Sequence, residues 1–87
     1  MSINAYCILY PDYVSVRKQN STQGLFADTD KGIFFGVVDA VNYANIRTSV
    51  GNNIMFDSNR ARIVTQSTNT WFIVHEDDII LKENAVS

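Results

Sequence analysis

The chain has 87 residues, a formal net charge of −2 and one cysteine, Cys7. A single domain of this size buries a modest share of its surface and commonly gains stability by assembling. The charge balance excludes a protein that works mainly by neutralising phosphates. The lone cysteine excludes an internal disulfide and a cysteine-rich zinc site, and fits a reducing compartment.

Met1–Tyr10 has no basic stretch and no long apolar run, so it reads as neither a signal peptide nor a membrane span. The expected location is the cytoplasm. Tyr6, Ile8 and Tyr10 alternate with Cys7 and Leu9, which predicts a strand with apolar residues on both faces. Tyr13–Arg17 is a second short run of strand formers. Lys18–Asp30 is polar and without period, broken by Leu25–Phe26–Ala27. A structureless stretch this long in so small a domain is either functional or a floppy hairpin tip. Its apolar pair has no obvious cover, and exposed apolar groups of that kind mark partner sites. Ile33–Val41 is a continuous β-branched and aromatic run, in which Gly36 predicts a kink, a bulge or a close backbone approach. Asn53–Phe56, Arg62–Thr65, Trp71–His75 and Asp78–Lys82 complete the strands. Polar turns at Asp57–Asn59 and Gln66–Thr70 separate them. Short strands joined by polar turns predict one all-β domain over 1–87, a small barrel or sandwich.

Few residues suggest covalent chemistry. His75 is the only histidine, and no nucleophile motif of the Gly-x-Ser-x-Gly kind occurs. It reads as an ordinary strand-end residue. Glu76–Asp77–Asp78 reads as a solvated acidic turn, because consecutive carboxylates on an extended chain point apart. Trp71 reads as a core or hairpin aromatic, with Phe72 on the opposite face. With no Gly-rich phosphate loop, no nucleotide site is expected in this chain. The chain is read as a non-enzyme without cofactors.

Four stretches in order carry a resemblance. They are Asp12–Tyr13–Val14–Ser15–Val16, then Gly24–Leu25–Phe26 in its polar loop, then Gly36–Val37–Val38–Asp39–Ala40–Val41, and finally Val50–Gly51–Asn52–Asn53–Ile54–Met55–Phe56 through to Asp78–Ile79–Ile80–Leu81. Together they resemble the GroES-type co-chaperonin family over nearly the whole chain. The matching family patterns are Asp-Arg-Val-x-Val, a loop Gly followed by apolar residues, Gly-x-Val-x-Ala-Val-Gly, and Val-Gly-Asp-x-Val-x-Phe with a closing Asp-Ile-Leu. Gly51 suits a tight turn into a strand. Asn42 stands where the family has a left-handed glycine, and asparagine is the next best residue for that backbone. The loop is shorter than the family's, and Phe26 is bulkier than the usual β-branched residue. Asn42–Ser49 is too short for the family's roof hairpin, a departure that looks more like the co-chaperonins carried by bacteriophages.

The resemblance implies a GroES-like β-barrel with a mobile loop over 18–32 and a shortened or absent roof hairpin. It implies a homo-oligomeric ring, a heptamer in the family, that caps a GroEL-type chaperonin in the cytoplasm, or in the host's cytoplasm if the protein is viral. Gly24, Leu25, Phe26 and Ala27 would contact the chaperonin. ATP would belong to that partner, a client protein would be enclosed indirectly, and neither nucleic acid nor membrane would be engaged. The strands at Tyr6–Tyr10 and Ile79–Lys82 would pair between neighbouring subunits, removing exposed sheet edges. The rival readings are a small-barrel binding module for nucleic acid or protein, and a viral structural protein.

Overall fold

The computed structural model describes residues 2–42 and 47–84. Among them are the strands β1 (Tyr13–Lys18), β2 (Ile33–Val41), β3 (Asn53–Asp57), β4 (Arg62–Gln66), β5 (Asn69–His75) and β6 (Ile79–Lys82), with three single 3₁₀ turns and no α-helix. The strands form one antiparallel sheet in the order β4-β5-β1-β2-β3-β6. The all-β fold expected from the sequence is the fold adopted. Residues 43–46, the middle of the segment read as a shortened roof, lie outside the described residues.

The sheet curls around its inner face. Val14 and Val16 on β1, Val38 on β2, Ile54 and Phe56 on β3, and Phe72 and Val74 on β5 form one buried cluster. β3 and β5 are not neighbours, yet the rings of Phe56 and Phe72 lie 5.3 Å apart. Burying each such ring stabilises by roughly 1.5–3 kcal/mol, which rewards the curl. β4 and β6 remain the sheet's edges. Ala61, just before β4, and Ile79, at the start of β6, pack on the same cluster, and Arg60 stands 3.8 Å from Asp78 beside them.

The outer face carries a second core. Trp71, Ala40, Ile3 and Leu9 are buried there, with Ile73 packed against them. Phe72 faces the inner cluster, as the alternation along β5 requires. One irregularity lets β2 serve both faces. Ser15 pairs with Ala40 but Val16 pairs with Val38, so Asp39 is an extra residue on β2. This β-bulge turns Val38 inward and Ala40 outward.

The N-terminal segment corrects one expectation. Tyr6–Tyr10 forms no strand. A 3₁₀ turn at Ile3–Ala5 leads into an irregular run laid over the outer face by Ile3 and Leu9. Side chains rather than a ladder hold it. The Ile3 N–H donates to Asp39 Oδ2 at 3.0 Å, and the Asn42 amide donates to the Leu9 carbonyl at 2.7 Å. Alternation alone predicts a strand here, but no ladder partner faces it. Asn42 therefore does different work from that expected, since it lies outside the left-handed region.

Gly36 is a point of close approach. A Cβ there would overlap Val16 Cγ1 and stand 2.7 Å from the Arg17 carbonyl oxygen. The β4–β5 hairpin is tighter than the expected five-residue loop: Gln66 pairs with Asn69, and Ser67 supplies the left-handed φ of 56°. The acidic turn Glu76–Asp78 is a 3₁₀ turn that leads into β6.

We expect Gly36→Ala to destabilise the fold by about 1–3 kcal/mol, through overpacking against β1. Urea unfolding measures it, and an unchanged midpoint contradicts the close approach. We expect Asp39→Ala to release the N-terminal segment at a cost of about 1–3 kcal/mol for the stranded Ile3 amide. Red-shifted Trp71 fluorescence in the still-folded variant is the signature.

Candidate functional site

The loop between β1 and β2 leaves and re-enters the sheet through firm roots. On the β1 side, Lys18 pairs with Gly36 and the Gln19 N–H donates to the Phe35 carbonyl at 3.0 Å. On the β2 side, a 3₁₀ turn at Thr29–Lys31 ends on Gly32, whose φ of 81° is left-handed. The turn after β3 holds it there. The Ser58 N–H donates to the Gly32 carbonyl at 2.8 Å, and the Asn59 amide donates to the Lys31 carbonyl at 3.0 Å.

Gly24, Leu25, Phe26 and Ala27 come together at the loop's tip. Gly24 has φ of 75°, and open space surrounds its missing Cβ, so backbone conformation rather than room favours glycine. The Ser21 hydroxyl accepts from the N–H groups of Gln23 and Leu25, each at 3.1 Å, which shapes the bend. Leu25 is 49% exposed and Phe26 94% exposed. The tip lines a groove of about 510 Å³ together with Phe34 and Phe35. Lys18 caps the neighbouring Phe34 ring, its ammonium 4.2 Å from the centroid. An apolar tip beside an aromatic-lined groove can grip an apolar surface. Its backbone and side chains offer no nucleophile or general base.

One feature of the site was not legible in the sequence. The Glu83 carboxylate, just past β6, receives the loop. Thr22 donates its N–H to Oε1 at 3.2 Å and its hydroxyl to Oε2 at 2.8 Å. The Gln23 side-chain amide donates to the Asn84 carbonyl. Asn53 on β3 bridges the two segments, donating to Glu83 Oε1 at 2.8 Å and to the Asn20 carbonyl at 3.2 Å. Burial pushes the Glu83 carboxyl up, but hydrogen bonds from Ser21, Thr22 and Gln23 together outweigh it and hold the group below the usual glutamate range. Thr22 and Glu83 are 61 residues apart, and no motif links them.

The other singled-out residues have structural partners. His75 Nδ1 accepts the Asp77 N–H at 3.1 Å, and its ring stands edge-on to Tyr13. Glu76 and Asp77 both pair with Arg47, and Asp78 faces Arg60. Among the described residues, no group of three His, Cys, Asp or Glu side chains is placed to hold a metal ion. No helix among them is long and apolar enough to cross a membrane. Compared with known proteins, the sequence matches no family model and no curated protein.

Because the folded Glu83 carboxyl titrates low, its hold on Thr22 is complete above the unfolded glutamate pKa. It is lost as pH falls through the lower folded value. We expect the Thr22 amide resonance to shift in a single step at a pH below the ordinary glutamate range. The step should vanish in Glu83→Gln. A step at the ordinary value shows that the carboxylate is not held.

Proposed function

We propose that this chain is a co-chaperonin-type lid subunit, which grips the apical surface of a chaperonin ring through the tip Gly24–Ala27 and carries out no covalent step itself. The observation that carries the reading is Phe26, 94% exposed beside half-exposed Leu25, on the loop between β1 and β2 of an all-β body. The ordered resemblance along the sequence supports it, and so does the position of the tip between two anchored roots. A tip presented this way meets an apolar groove without disturbing the sheet. Each contact is weak, since burying one Leu or Phe side chain stabilises by roughly 1.5–3 kcal/mol before ordering costs. Several tips on one ring act at high effective concentration, which makes capping firm yet reversible.

The sheet edges support the reading of assembly into a ring. β6 pairs with β3 on one side only, and Ile80 and Leu81 on it are exposed. At the other end of the chain, Ile8 and Tyr10 are exposed on an irregular run that joins no ladder among the described residues. An open edge strand and an exposed N-terminal run in one small domain suit contact between copies. The ring encloses the client, and nucleotide hydrolysis belongs to the chaperonin.

We expect the Leu25→Asp, Phe26→Asp double variant to lose capping in a chaperonin refolding assay with an obligate client, while native mass shows an unchanged oligomer. Refolding at wild-type concentrations would show that the tip is not the grip. Loss of the oligomer instead would place both residues in an interface. Truncation after Asp78, which removes β6, should yield monomers or aggregates. Retention of the full-length native mass would exclude β6 from assembly.

A further inference from the structure

Glu83 holds a position that neither the sheet nor the tip requires. Lys82 is the last residue of β6 to pair, opposite Ile54, and the Glu83 N–H then continues the ladder by donating to the Asn53 carbonyl at 2.9 Å. The same residue's side chain turns to the loop and takes both donors of Thr22 on its two oxygens. Asn53 supplies the carbonyl for the first contact, and its side-chain amide binds the carboxylate and the loop's Asn20 carbonyl in the second. The end of the sheet's edge strand and the root of the loop are therefore one hydrogen-bonded unit. We propose that Glu83 is a latch that couples the two, so that order in β6 sets order in the loop at Asn20–Gln23, just before the tip Gly24–Ala27.

The coupling has a physical basis in the weakness of both parts. An edge strand with one neighbour frays at its end, and a polar loop without a core opens readily. When Glu83 leaves the ladder its carboxylate leaves Thr22, and each loss promotes the other. Linkage makes the effect reciprocal. A strand that pairs with the outer edge of β6 suppresses fraying and tightens the loop's root. A ligand that draws the root outward loosens the end of β6. Lys82 is the adjacent charge on the same strand, and its ammonium reaches the Arg47 carbonyl at 3.4 Å. The carboxylate's partners are otherwise the neutral donors of Ser21, Thr22, Gln23 and Asn53. The coupling belongs to the isolated chain, whatever the tip grips.

Amide hydrogen exchange on the full-length protein, at a pH above the latch's titration, tests it. In Glu83→Ala, the Thr22 amide should exchange at least roughly tenfold faster, as expected for the loss of charge-assisted hydrogen bonds. The Gln19 amide, bonded to Phe35, should keep its rate. Glu83→Gln retains one acceptor oxygen and should give a smaller effect at Thr22. In Thr22→Val the change lies on the exposed loop, so folding is not at risk, and the Glu83 amide should exchange several-fold faster. An unchanged Thr22 rate in Glu83→Ala overturns the latch. Equal acceleration at Gln19 and Thr22 overturns it too, since Glu83 would then support the sheet as a whole. An unchanged Glu83 rate in Thr22→Val overturns the coupling.

Discussion

Asp39 is one residue more than the pairing of β1 with β2 needs, and both cores depend on it. Val38 and Ala40 would share a face on a regular strand. The bulge separates them, placing Val38 among the inner valines and phenylalanines and Ala40 under Trp71. The inner cluster can then close while a second apolar surface opens on the other side. The carboxylate of the extra residue also accepts the Ile3 amide and stands 3.6 Å from the Arg17 guanidinium. Arg17 in turn lies over the Trp71 ring at 5.2 Å and donates to Asn69 at 3.1 Å. Removing the extra residue would shift the register of half a strand and send its apolar residues to the wrong face.

The division of work between the two faces bears on function. A domain of this length lacks the material for a large core, so each buried ring matters. The inner face gathers the three phenylalanines Phe34, Phe56 and Phe72 within van der Waals reach of one another. Leu25 and Phe26 are among the large apolar residues left out of both clusters. Their removal to a loop tip costs the fold the burial of a full aromatic ring. The roots of the same loop are polar and hydrogen-bonded, which positions the tip without enclosing it.

The edges show a similar economy. Antiparallel pairing runs continuously from β4 to β6 and stops at each end. On β4 every residue is exposed, including Ile63 and Val64. On β6 a second register slip places Ile80 in the bulged position, outside the pairing with β3. Such bulges blunt an edge locally while leaving neighbouring ladder groups available. The ion pair between Arg60 and Asp78 joins the starts of these two strands, but an exposed pair adds little energy. The shared burial of Ala61 and Ile79 holds them more firmly.

The strand content was legible in the residues themselves. Ile33–Val41 has the bounds its β-branched run indicates, and the other internal strands lie within a residue or two of their apolar stretches. Alternation is a local property, written wherever one face of a strand is buried. The polar loop with its apolar pair is also local, and Gly24–Ala27 stands out by contrast with its neighbours. Tertiary structure decided what depends on distant partners. Tyr6–Tyr10 has a strand's alternation but is held by side chains, Tyr6 on the Trp71 ring of β5, Leu9 in the outer core, and the Leu9 carbonyl accepting from Asn42, so it folds as a strap. Asp39 resembles any polar residue in a strand until its register against β1 makes it the bulge. Glu83 is one acidic residue near the end of the chain until the β3–β6 ladder carries it to Thr22. Those contacts span 36 and 61 residues, distances over which hydrophobic periodicity carries no information, and the pairing of the strands brings the groups together.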